Sequence, residues 1–96
     1  MKFTIDAKVF DVRFYREEKK RKNKMVIDTS CQISREEDVT PICIGVTHQS
    51  PRDNYSKRIG RKIAFTRALM DLKKYRFTRY ERILFWERYK ENFKLA

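Results

Sequence analysis

Glycine, proline, cysteine and histidine are all scarce in this 96-residue chain, and these shortages exclude several classes of protein. Two cysteines and one histidine are too few for a disulfide scaffold or a standard zinc site. We therefore expect no metal, no cofactor and a reducing compartment. No apolar run approaches the roughly 20 residues that span a bilayer, which argues against a membrane partner. Both prolines precede residue 52, so nothing later in the chain interrupts a helical pattern.

Charge is abundant and mostly positive. The chain has 24 Lys and Arg residues against 13 Asp and Glu, for a formal net charge of +11. By direct count, residues 1–51 carry a net charge of about +2 and residues 52–96 about +9. A small protein this basic is attracted to anions, above all to nucleic acid, acidic protein surfaces or phosphorylated small molecules. We therefore expect the C-terminal half to face an anionic partner.

The N-terminal half has the period-two pattern of β-strands. A first strand is predicted over 3–15, and its pattern changes parity near the middle, which we interpret as a bulge. Residues 16–24 contain no apolar side chain and are predicted to form a long solvated hairpin loop. Two more strands are predicted over 25–33 and 42–48, where Gly45 would allow close approach of another element. The pattern predicts a three-stranded antiparallel meander.

The C-terminal half changes to helical periodicity. The first predicted helix has apolar stripes on two faces, which predicts that it is covered on two sides. The sequence Thr78-Arg-Tyr-Glu81 is a capping box that starts a second helix. We therefore predict an α+β protein of order β-β-β-α-α, a single domain over 1–96 with the sheet in 1–50 and the helices in 53–96.

The strongest local signal lies at the start of the first predicted helix, where Asp53 and Ser56 are among the competent N-caps. Four cations lie in the first two turns, near the positive end of the helix macrodipole, and each destabilises the helix by about 0.3–1 kcal/mol. A bound anion would relieve that repulsion. Free N–H groups and cationic side chains together favour phosphate. The alternative is a solvated basic face. With one preceding residue and part of the basic loop, the predicted nucleic-acid contacts are Arg52, Lys57, Arg58, Arg61, Lys62, Lys20, Arg21 and Lys22.

The same helix carries a family resemblance. Its sequence, Ser56-Lys-Arg-Ile-Gly-Arg-Lys-Ile-Ala-Phe-Thr-Arg-Ala-Leu69, resembles the C-terminal helix of double-stranded-RNA-binding domains, whose pattern runs Ser-Lys-Lys-x-Ala-Lys-x-x-Ala-x-x-x-Ala-Leu. In that family the basic residues at the helix start lie across the major groove on phosphates. The resemblance implies that role for Lys57, Arg58, Arg61 and Lys62. The family's N-terminal helix is not predicted in these 96 residues, whose first predicted element is a strand.

A longer pattern resembles small phage-encoded accessory proteins that carry Pro-x-Asp-x-Phe/Tyr and then Gly-Arg-x-x-Ala-x-x-Arg-Ala. It reads His48-Gln-Ser-Pro51-Arg-Asp53-Asn-Tyr55 and Gly60-Arg-Lys-Ile-Ala64-Phe-Thr-Arg67-Ala68. The resemblance implies an accessory factor of a phage or mobile element, in the cytoplasm of an infected or carrying cell. It also implies an alternative function, an anti-defence inhibitor that sequesters a small nucleotide signal or binds a host protein such as a nuclease. The possible ligand contacts are His48, Asp53 and Tyr55.

Catalysis has little support in the sequence, and we expect a binding protein rather than an enzyme. On the predicted strand, Cys43 has the opposite parity to His48, which argues against a nucleophile and base acting together. The spacing of Cys31, Cys43 and His48 also matches no standard zinc finger.

The last predicted helix is unusually rich in aromatic side chains. They either cover a short sheet or form a contact between proteins, since Trp, Tyr and Arg are enriched at interfaces. We predict a two-fold homodimer whose contact contains Trp86, Tyr89 and Phe93.

Overall fold

The computed structural model describes residues 1–38, 40–50 and 56–93. Within these residues, four strands form one antiparallel sheet in chain order, and two helices follow. The elements are β1 (Lys2–Ile5), β2 (Lys8–Arg21), β3 (Lys24–Arg35), β4 (Cys43–His48), α1 (Lys57–Leu72) and α2 (Arg79–Phe93). A single 3₁₀ turn, Lys73–Tyr75, follows α1. The predicted α+β class, with an antiparallel sheet and two C-terminal helices, is confirmed.

The predicted strand over 3–15 is instead a tight hairpin, so the number of strands was wrong. Asp6 and Ala7 connect β1 to β2, and their φ angles of 48° and 65° are those of a two-residue turn of type I′. The reversal places Phe3 directly opposite Phe10. Because paired residues point to the same side of a sheet, both rings reach the core without a bulge. The change of parity therefore marks a turn.

The predicted loop over 16–24 is also strand. β2 and β3 pair without interruption as far as Arg21 and Lys24, and a second turn with positive φ joins them at Lys22 and Asn23. β4 pairs only with β3 residues 28–33. Residues 18–27 therefore form a two-stranded extension, here called the arm. Strand pairing satisfies the backbone of the polar residues of β2 in the arm, which lie opposite the apolar residues Met25, Val26 and Ile27 of β3.

Both helices pack on one face of the sheet. α1 lies on β3 and β4, while α2 contacts β1. A Cβ added to Gly45 would lie 2.1 Å from the Ala64 carbonyl oxygen and 2.3 Å from the Ala68 nitrogen, so the backbone of α1 rests directly on β4. This confirms the close approach predicted at Gly45. Four fully buried aromatic side chains from the sheet and the helices lie in the core, namely Phe3, Phe65, Phe85 and Tyr89.

Only one of the two apolar stripes of α1 is buried, contrary to expectation. Its buried stripe contains Phe65, Leu69 and Leu72, whereas the other apolar stripe is exposed at Ile59 and Met70. The sheet extends under only one side of the helix, which explains the difference. None of the helices in the described ranges is long and apolar enough to cross a membrane.

α2 begins as the capping box predicted. The Thr78 N–H donates to Glu81 Oε1 at 3.0 Å, and the Glu81 N–H donates to Thr78 Oγ1 at 3.1 Å. Arg88 Nε then donates to the Thr4 carbonyl oxygen at 3.2 Å, which ties the helix to β1. The last turn of α2 lies beside the start of α1, where the Phe93 ring contacts the Arg61 guanidinium.

Candidate functional site

α1 begins with two cations and no acidic residue in its first turn. Ser56 is the N-cap, and its hydroxyl accepts a hydrogen bond from the Ile59 N–H at 3.3 Å. Lys57 and Arg58 follow at once and are exposed. The positive end of the helix dipole and two cationic side chains therefore occupy the same place, which is unfavourable for the isolated helix and favourable for an anion.

A cavity of about 500 Å³ lies beside this helix start, on the helix-covered side of the sheet. Lys57 and Arg61 of α1 line it together with Arg16 of β2, and Phe14 and Phe93 contribute aromatic rings. No carboxylate lines it among the described residues. The cavity is open to solvent on one side, and its volume is within the range of about 300–1,000 Å³ that is usual for small-molecule sites. The cavity therefore combines concentrated positive charge with aromatic surface.

Arg61 is the most enclosed of the three cations. Its Cζ lies 4.2 Å from the centroid of the Phe93 ring, which is cation–π geometry. Its Nε is buried and has no hydrogen-bond partner within the described part of the chain. Burial raises the pKa of the Tyr89 hydroxyl, and the Arg61 guanidinium beside it partly offsets that effect, first by hydrogen bonding and then by its positive charge. Arg61 is therefore engaged by Tyr89 and Phe93, and its buried Nε is the donor that lacks a hydrogen-bond partner among the described residues.

Thr29 is a second group at the cavity with unused hydrogen-bonding capacity. It lies opposite Arg16 in the β2–β3 ladder, lines the cavity and is only 1% exposed. Its hydroxyl is buried and has no hydrogen-bond partner among the described residues. Two orphaned polar groups, on Thr29 and Arg61, therefore belong to residues that line the same cavity.

A separate polar cluster occupies the opposite face of the sheet. Arg21 donates from both terminal nitrogens to the two carboxylate oxygens of Asp28, each at 2.6 Å. His48 Nδ1 lies 2.9 Å from Asp28 Oδ2, and Lys19 Nζ lies 3.8 Å from the same oxygen. The Arg21 guanidinium holds the pKa of Asp28 well below its usual range. This cluster fastens the arm to the end of β4.

The predicted phosphate contacts are only partly brought together. Lys57 and Arg61 meet at the cavity, while Lys62 is exposed on α1 and does not line it. Arg58 is exposed at the helix start. Arg52 lies outside the described residues. The helix start is therefore the part of the prediction that forms a site.

The three predicted cations of the basic segment are separated by strand geometry. Lys20 has the parity of Arg16 and shares its face, whereas Arg21 points to the opposite face and is occupied by Asp28. Lys22 lies in the turn at the tip of the arm. Because this segment is a paired hairpin, its cations cannot converge as a flexible loop would allow.

The predicted ligand contacts do not form a group with the helix start. His48 belongs to the Asp28 cluster, on the face of the sheet opposite the cavity. Asp53 and Tyr55 lie outside the described residues. His48 therefore has a structural role that its place at a strand end did not reveal.

The aromatic residues predicted to form a dimer contact pack within the chain. Tyr89 is fully buried and stacks on Phe65, with 4.6 Å between ring centroids, so it offers no surface to a second chain. Trp86 and Phe93 are half-buried and also contact the core. An interface through Tyr89 is excluded by its burial, and the dimer itself stays a prediction.

Sequence reasoning does not predict the part of the cavity that comes from the sheet, which includes Phe14, Arg16 and Thr29. Arg16 was assigned to a loop, although it continues the parity of Phe14 and could have been assigned to its face by extending the strand. Thr29 lies within the predicted strand over 25–33 and is buried. No pattern in the sequence marks its hydroxyl as lacking a partner.

The two cysteines are buried thiols with no disulfide between them. Burial raises the pKa of the Cys43 thiol to about 12, and it raises that of Cys31 as well. Both are protonated near neutral pH and are therefore poor nucleophiles. Among the described residues, no group of three His, Cys, Asp or Glu side chains is placed to hold a metal ion.

Comparison of the chain with protein-family models, with curated proteins and with solved structures gave no match. The function is therefore inferred from the geometry and charge of the site.

Proposed function

We propose that this protein is a small basic binding protein that holds nucleic-acid phosphates at the start of α1. The observation that carries the proposal is the convergence of Lys57, Arg61 and Arg16 on one cavity without a carboxylate among its described lining. Phosphate contacts from Lys and Arg side chains and from helix N-termini supply most of the affinity of nucleic-acid-binding proteins.

The arm extends the positive surface away from the cavity. Lys20 shares the face of Arg16 and is four residues further along β2, so the two positions are roughly 13 Å apart along the strand. Several phosphates of one strand could therefore contact the helix start and the arm together. A binding role also agrees with the raised pKa of the Cys43 thiol and with the engagement of His48 by Asp28.

Charge reversal at two exposed positions tests the proposal. The double variant Lys57→Glu with Lys62→Glu removes two cations from the start of α1. The matched control is Lys73→Glu with Arg79→Glu, which changes one cation just after α1 and one at the start of α2. All four side chains are exposed, so both variants should fold. Fluorescence anisotropy with labelled DNA and RNA oligonucleotides should give at least a tenfold weaker Kd for the first variant and a much smaller change for the second.

Salt dependence gives an independent measurement on the same samples. Each lost phosphate contact lowers the slope of log K against log salt by about 0.9 for duplex and about 0.7 for single strands. The Lys57/Lys62 variant should therefore have a shallower slope than the wild type, while the control keeps the wild-type slope. Absence of binding by the wild type at low salt, or equal losses in the two variants, would overturn the proposal.

A further inference from the structure

We infer that the cavity beside α1 takes one whole nucleotide, with its phosphate on the cationic wall and its base against the aromatic wall. The inference depends on the residues that surround one space of about 500 Å³. They are the cations Lys57, Arg61 and Arg16, the aromatic residues Phe14 and Phe93, and Thr29. The inference rests on the proposed phosphate binding and adds the base to it.

The cavity is larger and more apolar than a phosphate needs. The Phe14 and Phe93 rings meet edge to face with centroids 5.8 Å apart and an interplanar angle of 80°, and both side chains are half-buried. One part of Phe93 already packs against the Arg61 guanidinium. A phosphate alone would leave these aromatic surfaces in contact with water. A flat base would cover them, as bases do on the aromatic platforms of single-strand binding proteins.

The orphaned hydroxyl of Thr29 indicates a polar ligand beyond the phosphate. Thr29 is almost fully buried, and its Oγ1 has no partner among the described residues. A buried hydroxyl without a hydrogen bond costs free energy that a partner would recover. Base edges and ribose hydroxyls can each donate to or accept from a threonine hydroxyl, whereas a purely apolar ligand can do neither.

The nucleotide could be free or part of a strand, and the two sources share the same chemistry. A base in a duplex is paired and stacked, so it cannot enter the cavity without being extruded. A single strand presents its bases freely. The inference therefore predicts that a single strand binds more tightly than a duplex, in addition to any binding of mononucleotides.

The experiment compares four ligands by anisotropy and competition: a single-stranded oligonucleotide, an abasic oligomer of equal length, a duplex, and free nucleoside monophosphates. The abasic oligomer keeps every phosphate and lacks the bases. We expect the single strand to bind about tenfold more tightly than the abasic oligomer, because stacking one base on an aromatic side chain has about that effect. Competition by micromolar mononucleotide would identify the free nucleotide as a ligand, and its absence would assign the site to strands.

Thr29→Val is the variant that isolates the cavity. It keeps the shape of the side chain and removes only the hydroxyl, and because that hydroxyl has no partner within the described chain, stability should not fall. The variant should lose several-fold in affinity for the single strand and keep its affinity for the abasic oligomer. Phe93→Leu provides a second variant with the same expected pattern, and thermal melting confirms that both are folded.

The outcomes separate the inference from the proposed function. Equal affinity for single-stranded and abasic oligomers, unchanged by Thr29→Val, would overturn the nucleotide inference and leave phosphate binding intact. Binding of mononucleotides without binding of any oligomer would support the inference and overturn the proposed function. If no ligand in the series binds, both are refuted.

Discussion

The charge conflict at the start of α1 yields a prediction in which stability and binding change in opposite directions. Lys57 is the first residue of the helix, and the first turn contains no acidic residue. Lys57→Glu therefore replaces an unfavourable charge at the positive end of the dipole with a favourable one. Lys73 follows the last residue of α1, and Lys73→Glu makes the reverse change at the negative end.

The size of the effect follows from the dipole interaction. A single charge at an exposed helix end contributes about 0.3–1 kcal/mol, and reversing its sign exchanges a cost for a gain. Both side chains are exposed, so solvent and salt screen the effect, and about 1 kcal/mol is the appropriate magnitude. For a chain of this size that change shifts Tm by about 4–8 °C. Lys57→Glu should raise Tm by this amount and Lys73→Glu should lower it.

Binding should respond in the opposite sense. Lys57 lines the cavity, so its reversal should weaken the binding of a labelled oligonucleotide at least tenfold, whereas Lys73→Glu should have little effect. Circular dichroism melts and fluorescence anisotropy on the same preparations measure both quantities, and Lys57→Gln should be intermediate in each. A lower Tm for Lys57→Glu would refute the charge conflict in the helix. Wild-type affinity in the more stable variant would refute the placement of phosphate at this helix start.

Three further predictions concern the fold. Gly45→Ala should lower the free energy of unfolding by about 3 kcal/mol in urea titrations, because the added Cβ meets backbone atoms of α1. Adding Ala64→Gly should not restore the lost stability, because the clashing atoms belong to the backbone. Ala7→Gly should raise the free energy of unfolding by about 0.5 kcal/mol, because Ala7 has a φ angle of 65°. Ala64→Gly alone should lower the free energy of unfolding by about 1 kcal/mol or more, because it places glycine inside α1. Folding lowers the pKa of Asp28, so its contribution is complete above the unfolded pKa of about 3.9, begins to be lost as pH falls below about 4, and is fully lost only below the folded pKa. Asp28→Asn should therefore destabilise the protein by about 1 kcal/mol at pH 7 and reduce its acid sensitivity, as measured by urea titrations at pH 7 and pH 3.

Glycine scarcity explains why sequence reasoning failed at the two hairpins. Turns of type I′ usually carry Asn-Gly or Asp-Gly, and here they are built from Asp6-Ala7 and Lys22-Asn23. Without glycine, the first turn resembled a parity slip within one strand. The second lay inside a run of charges and resembled a loop. Both turns place residues without glycine's freedom at positive φ, and the pairing on either side holds them there.

The elements with strong local signals were predicted correctly. The Thr78–Glu81 capping box uses short-range hydrogen bonds that depend on four residues alone, and the structure contains them. Gly45 was found because a glycine inside a strand pattern indicates close backbone approach. The cavity could be predicted only at Lys57 and Arg61, which are neighbours on one helix. Its other half comes from β2 and β3, and only the packing of α1 on the sheet brings those residues beside them.

The Asp28 cluster provides a physical reason why the arm can be both basic and ordered. Consecutive strand residues point to opposite faces, so fixing Arg21 on one face also determines the direction of Lys20 on the other. Asp28 neutralises part of the charge that would otherwise force the cations apart, and its contacts with Arg21 and His48 join the arm to β4. The direction of Lys20 is thereby fixed by contacts made on the opposite side of the sheet. A carboxylate with no place in the cavity therefore helps to orient the cations proposed to bind phosphate.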